Sequence, residues 1–161
     1  MLPGIKLFDL TGHVAIVTGG SKGIGRAMAE ALASAGADVA IVSRTAHEAQ
    51  TVAAEIARDY GRSAIGLAAD VTIPAQAEAM AAAVVKEFGR IDVLVNSAGI
   101  NIRGPIEELS PEQFQQVLTV NVTGTWLACR AVVPHMKAAK SGRIVNLASA
   151  LGLIGVVNRT P

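Results

Sequence analysis

The sequence is poor in residues that form covalent cross-links or metal sites. It has one cysteine, Cys129, so no disulfide or thiolate metal site can form within one chain, and a reducing, cytoplasmic setting is expected. The three histidines show no ligand spacing, so no metal site is predicted. The start, MLPGIKLFDLTGH, places Lys6 and Asp9 where a signal peptide needs an apolar core, which again predicts a cytoplasmic protein.

The sequence also lacks concentrated charge and long apolar runs. Fourteen basic residues against thirteen acidic ones give a net charge of +1, and no basic block is interleaved with aromatic residues, so nucleic acid is not expected as a partner. No run approaches the roughly 20 apolar residues that span a bilayer, so no membrane segment is expected. The chain is nevertheless 51% hydrophobic, which predicts a single globular domain over residues 1–161.

Short runs rich in Val and Ile alternate with longer Ala-rich stretches of helical period. Strands are predicted at 14–18, 38–43, 63–69, 91–96 and 143–148, and helices near 24–35, 46–59, 74–88 and 111–137. Several of the strands are continuously apolar, so both of their faces should be buried, as in a parallel sheet. The expected fold is α/β, a doubly wound parallel sheet of Rossmann type in three αβα layers, with strand order 3-2-1-4-5.

Several residues mark the ends of the predicted helices. Ser110 precedes Pro111 and is a candidate N-cap for the fourth helix. Gly61 and Gly89 follow helical stretches, as C-terminal stops do. Pro134 lies late in the fourth helix and is expected to kink or end it.

A glycine-rich turn follows the first predicted strand. The segment TGGSKGIG places Gly19, Gly23 and Gly25 in a GxxxGxG spacing between a strand and a helix. Glycines in this context allow a tight turn and let a pyrophosphate approach the N–H groups of the helix. The alternative is that they only permit close packing of strand and helix. Of the two, the pattern favours dinucleotide binding.

With these residues the sequence resembles the short-chain dehydrogenase/reductase family, whose glycine motif is TGxxxGxG. The resemblance continues along the chain through DV at Asp70 and Val71, NSAG at 96–99 with Ser97 in place of the family's second Asn, VNVTG around Asn121, and GRIVNLAS up to Ser149. It implies an oxidoreductase that interconverts a small-molecule alcohol and a carbonyl by hydride transfer. It also implies a homo-oligomer for the full-length protein.

The resemblance implies a set of cofactor-binding residues, which are Thr18, Gly19, Ser21, Lys22, Gly23, Ile24, Gly25, Ser43, Arg44, Asp70, Val71, Asn96, Ala98 and Gly99. An acidic residue at the end of the second strand would accept from the ribose 2′-OH of NAD, whereas a basic one accommodates the 2′-phosphate of NADP. Ser43 and Arg44 stand there, and Lys22 adds a positive charge in the glycine turn. NADP(H) is therefore favoured over NAD(H). The alternative is that both cations are solvated surface charges.

The resemblance implies catalytic roles for two residues. Ser149 would polarise the carbonyl oxygen, and Asn121 would hold a water in a proton relay, beside a Tyr acid/base and a Lys from a YxxxK motif. Each has a plainer alternative, because Ser149 could satisfy backbone groups in a turn and Asn121 could bond main chain.

The sequence contains no YxxxK motif, and its only tyrosine, Tyr60, ends the second predicted helix. The family's tyrosine falls about thirteen positions beyond the serine, which here is just past Pro161. We therefore expect a domain truncated after the fifth strand, with an exposed edge, no activity alone and an uncertain oligomeric state. The alternatives are a catalytically dead nucleotide-binding module and an incomplete product.

Overall fold

A parallel sheet of five strands forms the centre of the computed structural model, which describes residues 4–157. The strands are β1 (Val14–Thr18), β2 (Asp38–Ser43), β3 (Ala64–Ala68), β4 (Val93–Asn96) and β5 (Arg143–Asn146). Their order is β3-β2-β1-β4-β5, as the sequence predicts. The order reverses beside β1, so a crevice opens at the carboxyl ends of β1 and β4, where doubly wound sheets bind ligands.

The helices connect successive strands. They are α1 (Gly23–Ser34), α2 (Ala46–Tyr60), α3 (Pro74–Phe88), α4 (Pro111–Leu118) and α5 (Thr125–Ala139), with short 3₁₀ turns at Gly4–Phe8 and Ala150–Gly152. Between α4 and α5 lies one π-helical segment, Thr119–Gly124. The helix predicted at 111–137 is therefore observed over that range and continues to Ala139, but it contains a π segment that the sequence did not predict.

Both faces of the central strands β1, β2 and β4 are buried, which explains why these strands are continuously apolar. On one face Ile16 and Leu94 pack with residues of α3 and α5. On the other face Val17 and Ile41 pack with residues of α1 and α2. The three-layer αβα architecture predicted from the apolar strands is therefore confirmed.

The predicted N-cap and the two glycine stops are observed at the helix ends, whereas Pro134 is not a helix end. Ser110 forms a capping box, because its Oγ accepts from the Gln113 N–H at 3.2 Å while Gln113 Oε1 accepts from the Ser110 N–H at 2.9 Å. Gly61 and Gly89 end α2 and α3 in the left-handed conformation, with φ of 63° and 78°. Pro134 does not end the helix, because α5 continues to Ala139.

The helix continues past Pro134 because tertiary packing holds it. A proline inside a helix costs about 3 kcal/mol through its missing N–H and its ring. Val132 and Met136, on either side of Pro134, are both buried in the core against the sheet. Their burial offsets the cost of the proline.

The continuous helical stretch Pro111–Ala139 is long and apolar enough to cross a membrane by length and composition alone. The core helix of a soluble protein meets the same criterion. Leu127 and Val132 of this stretch lie in the core against the sheet, so it packs as a core helix does.

Strand β5 forms one edge of the sheet within residues 4–157, and all four of its residues are exposed. Its apolar side chains Ile144 and Val145 are 37% and 43% exposed. The expected exposed edge is therefore present in the part of the chain that the structure describes. The expectation about the chain end falls on residues 158–161, which lie outside the described residues.

Candidate functional site

A cleft of about 510 Å³ lies at the carboxyl ends of β1, β2 and β4. Eleven of the residues predicted to bind a cofactor line it, namely Gly19, Ser21, Lys22, Ile24, Gly25, Ser43, Arg44, Asp70, Val71, Ala98 and Gly99. The lining also includes residues that the sequence did not single out, namely Val42, Thr45, Glu48, Ala69, Ser97, Ile100, Val120 and Leu147. Segments far apart in the sequence thus meet at this one cleft.

The three glycines of the turn meet different requirements. Gly19 has a φ of +65°, and a Cβ there would lie 2.8 Å from the Cα of Ala98. A Cβ on Gly25 would collide with the carbonyl oxygen of Gly19. Gly23 has a φ of +54° but faces open space. Close packing therefore accounts for Gly19 and Gly25, while Gly23 is needed for the backbone conformation that begins α1.

The first turn of α1 is suited to an anion. Lys22 is its N-cap residue and makes no side-chain hydrogen bond to the turn. The N–H groups at the start of a helix have no intrahelical partner, and the helix dipole favours negative charge there. Ile24 and Gly25 of this turn line the cleft, so its geometry fits the pyrophosphate of a dinucleotide.

Thr18 supports the cleft from below without lining it. Its side chain is 1% exposed, and its Oγ1 accepts from the N–H groups of Ser97 and Ala98, each at 3.2 Å. The end of β1 thereby fixes the loop that follows β4. Within the described residues Thr18 positions the cleft wall, and direct contact with a cofactor stays a prediction.

Asn96 is likewise buried beneath the cleft. Its Nδ2 donates to Asn146 Oδ1 at 2.8 Å and lies 3.3 Å from the Cys129 Sγ. These contacts tie β4 to β5 and α5. Neither Asn96 nor Gly23 is among the lining residues, so a cofactor contact by either stays a prediction.

Asp70 and Val71 form the wall beyond β3. The Asp70 Oδ1 accepts from the Thr72 Oγ1 at 2.7 Å and from the Thr72 N–H at 2.9 Å, and these bonds hold the pKa of Asp70 below its usual value. Val71 packs against Gly124, where a Cβ would lie 2.7 Å from the Val71 Cγ2. Within residues 4–157 no His, Cys, Asp and Glu side chains form a group of three that could hold a metal ion.

Three charged side chains, those of Lys22, Arg44 and Glu48, line the β2 side of the cleft. The Lys22 Nζ lies 2.7 Å from Glu48 Oε1, and the Ser21 Oγ lies 3.4 Å from Glu48 Oε2. This ion pair holds the pKa of Glu48 below its usual value. Arg44 makes no ion pair within the described residues. Glu48 was not predicted as part of the site, because it lies in the first turn of α2, four residues beyond Arg44 and outside the glycine turn and the end of β2.

Asn121 lies in the π segment and clamps the loop after β4. Its Oδ1 accepts from the Ile100 N–H and its Nδ2 donates to the Ile100 carbonyl, both at 2.9 Å. Its own carbonyl accepts from the Thr125 Oγ1 at 2.8 Å. π-Helical turns are frequent at functional sites, and this one aims the amide at the cleft wall. The main-chain role is thus observed, and the role in a proton relay stays a prediction.

Ser149 lies at the β5 end of the cleft, two residues beyond the lining residue Leu147. Its Oγ accepts from the Leu151 N–H at 3.1 Å and so caps the turn at Ala150–Gly152. A hydroxyl that accepts one bond still has a proton to donate. The turn-capping role is observed, and donation to a carbonyl stays a prediction.

Tyr60 lies far from Ser149. It ends α2, which packs on β2 and β3, whereas Ser149 follows β5 at the opposite edge of the sheet. Its side chain is exposed at the surface. The structure therefore agrees that Tyr60 is not the partner of Ser149.

The chain is similar in sequence to known dehydrogenases. Residues 13–161 match the family model described as short chain dehydrogenase. The chain is 45% identical over 149 residues to the D-threitol dehydrogenase of Mycolicibacterium smegmatis, covering 92% of this chain and 57% of that protein. It is 43% identical over 148 residues to a 3-alpha-(or 20-beta)-hydroxysteroid dehydrogenase of Mycobacterium bovis, covering 92% of this chain and 55% of that protein.

Solved structures give the same result for the fold. The crystal structure of an NAD⁺-bound xylitol dehydrogenase superposes with a TM-score of 0.89 at 34% sequence identity. The match covers 93% of this chain and 58% of that one. The chain thus spans somewhat more than half the length of the relatives it matches.

Proposed function

This chain belongs to the short-chain dehydrogenase/reductase family, and from that premise we propose that it forms the cofactor-binding part of an NADP(H)-dependent oxidoreductase. The reaction is the interconversion of an alcohol and a carbonyl in a small molecule. The observation that carries the proposal is the cleft at the strand-order reversal, where the uncapped start of α1 meets Arg44 and the loop after β4.

The charges and the shape of the cleft support an arrangement for the cofactor. The first turn of α1 would hold its pyrophosphate, because the N–H groups there have no side-chain cap. Arg44 and Asp70, at the carboxyl ends of β2 and β3, would hold its adenosine. Arg44 lacks an ion-pair partner within the described residues and can accept the 2′-phosphate, which favours NADP(H) over NAD(H).

The chain supplies two groups for the chemistry. The nicotinamide, when bound, exchanges a hydride with the carbon of the substrate. Ser149 would donate a hydrogen bond from its hydroxyl to the substrate oxygen, on which negative charge develops, and would keep its proton. Asn121 holds the loop at Ile100 in place and keeps a water nearby for the proton relay.

The acid/base is not supplied by the one tyrosine of the sequence. Tyr60 lies at the other edge of the sheet, and the 161 residues contain no YxxxK motif. We therefore propose that this chain binds the dinucleotide but does not turn over substrate alone. We propose that the full-length protein acts on an alcohol, because its relatives are named as dehydrogenases of threitol and of hydroxysteroids. A homo-oligomer is proposed for it from the family resemblance alone.

Calorimetric titration of the purified chain with NADP⁺ and NAD⁺ tests the binding proposal. We expect both to bind, NADP⁺ more tightly, and Arg44→Ala to weaken NADP⁺ far more than NAD⁺. Tighter binding of NAD⁺ by the unsubstituted chain would contradict the cofactor assignment. Incubation with NADPH and a panel of ketones, followed by nicotinamide absorbance, should show no turnover; measurable turnover would refute the proposed inactivity.

A further inference from the structure

We propose that Glu48 is a specificity-determining residue, which competes with the 2′-phosphate of NADP(H) for Lys22 and so limits the preference for NADP(H) over NAD(H). The inference rests on the proposed function, because it concerns the same cleft. Glu48 was not among the predicted site residues, and its negative charge is expected to lower the affinity for NADP(H) relative to that for NAD(H).

The geometry puts Glu48 in the position to compete. Lys22 belongs to the glycine turn and Glu48 to the first turn of α2, and although 26 residues separate them their charged atoms lie 2.7 Å apart. Both line the cleft together with Arg44. The Lys22 side chain is 73% exposed, so its ammonium can exchange one partner for another without disturbing the core.

The charges at this end of the cleft balance without a ligand. Lys22 and Arg44 are positive, while Glu48 and Asp70 are negative, and both carboxyls have pKa values below their usual range. A 2′-phosphate brings about two further negative charges. To bind Lys22 closely it must share the ammonium with the Glu48 carboxylate or displace it, and in either case the carboxylate remains close to the phosphate as a like charge.

NAD(H) does not meet this obstacle. It has a hydroxyl in place of the phosphate, so its binding leaves the Lys22–Glu48 pair intact. Arg44 still attracts the phosphate of NADP(H), since it makes no ion pair within residues 4–157. The outcome is a site that prefers NADP(H) through Arg44 but accepts NAD(H) as well.

Calorimetric titration of Glu48→Gln with NADP⁺ and NAD⁺ tests the inference. The amide keeps the size of the side chain but removes its charge, so we expect Kd for NADP⁺ to fall by about three- to tenfold. Kd for NAD⁺ should stay within about twofold, since no pair must be broken. In a Lys22→Gln background the gain for NADP⁺ should be smaller, because there is no ammonium to release.

Glu55→Gln is the matched control. Glu55 lies on the same helix, is 32% exposed against 34% for Glu48, and pairs with Arg26 at 2.9 Å, but it does not line the cleft. We expect it to change neither affinity. Glu48→Ala is a second variant, whose affinity ratio must move in the same direction, and thermal unfolding of each variant checks that it is folded.

The outcomes separate this inference from the proposed function. If the unsubstituted chain binds neither dinucleotide, the proposed function fails and the inference fails with it. If it binds both and Glu48→Gln leaves their affinity ratio unchanged, only the inference is overturned. Weaker NAD⁺ binding with unchanged NADP⁺ binding would also overturn it, because Glu48 would then be a direct ligand of the ribose hydroxyl.

Discussion

The glycine turn imposes two different requirements on its three glycines. Close packing requires Gly19 and Gly25, because a Cβ on Gly19 would lie 2.8 Å from the Ala98 Cα and a Cβ on Gly25 would collide with the Gly19 carbonyl oxygen. Gly23 faces open space, so it is required by its positive φ of +54° alone.

Substitution of two of these glycines separates the two requirements. Gly25→Ala should destabilise the protein by about 1–3 kcal/mol and weaken dinucleotide binding more than about tenfold, because its Cβ collides with the Gly19 backbone in the turn. Gly23→Ala is the matched control: it faces open space, so it should cost about 1–2 kcal/mol through its positive φ alone. Chemical denaturation and calorimetry measure both quantities. Equal loss of affinity in the two variants would contradict the steric argument.

A buried carboxylate at the amino ends of β1 and β4 should make the stability of the protein depend on pH. Asp92 is 5% exposed, and it accepts from the Val14 N–H at 2.9 Å and from Arg90 at 2.7 Å. Burial alone would raise the pKa of Asp92, but the bonds from Arg90 and Val14 outweigh burial and hold the pKa below its usual value. The stabilisation is therefore full above the unfolded pKa of about 3.9, and it is lost as pH falls through the lower folded value.

Asp92→Asn tests this dependence. At pH 7 it should lower the free energy of unfolding by about 1–3 kcal/mol, because a buried acceptor of charged bonds is lost. The fall in stability below about pH 4, the unfolded pKa of the carboxyl, should become shallower than in the unsubstituted protein. Asp59→Asn is the control, since Asp59 is exposed and pairs only with its neighbour Arg58. Identical pH profiles for Asp92→Asn and the unsubstituted protein would refute the assignment.

At the scale of elements, a helix cap formed by neighbouring residues could be predicted, whereas a change of helix geometry that depends on distant residues could not. The N-cap at Ser110 could be predicted, because all the residues of its capping box lie within four consecutive positions of the sequence. The π segment Thr119–Gly124 lies inside a stretch that the sequence predicts as one helix, and the sequence did not predict the change to π geometry there. Its shape follows from contacts with distant residues, namely Asn121 with Ile100 and Gly124 with Val71.

Asn121→Ala should loosen the loop after β4. The substitution removes both hydrogen bonds to Ile100, each worth about 1 kcal/mol at most at this exposed position. The two bonds together are worth about 2 kcal/mol at most, so hydrogen exchange of the Ile100 amide should accelerate by up to about thirtyfold, since 1.4 kcal/mol corresponds to a factor of ten. Gln115→Ala is the control, because its side chain bonds Thr119 on its own helix. Unchanged Ile100 exchange in Asn121→Ala would contradict the clamp.

At the scale of the whole molecule, the three layers could be predicted because apolar strands alternate with helices. The strand order came from the doubly wound arrangement of the resembling family, since the same alternation is compatible with other orders. The Lys22–Glu48 pair could not be predicted, since it depends on how the glycine turn and α2 meet across the sheet edge. The predicted helix extended past Pro134 to 137, and of the two effects expected of Pro134, ending the helix is wrong, because packing against the sheet overrides that local signal. Sequence thus located the cleft and most of its lining, and tertiary contacts determined its charge balance.

The cleft joins the ends of β1, β2 and β4 with the starts of α1 and α2, so a dinucleotide bound there should stabilise the whole domain. At a free concentration one hundred times Kd the expected gain is about 2.7 kcal/mol. For a chain of this size that gain corresponds to a rise in Tm of about 5–10 °C. Differential scanning calorimetry over a series of NADP⁺ concentrations measures it, and Gly25→Ala should show a much smaller rise at the same concentrations. A Tm that does not change with NADP⁺ concentration would mean that the ligand does not bind the folded domain, because linkage requires stabilisation by any ligand that prefers the folded state.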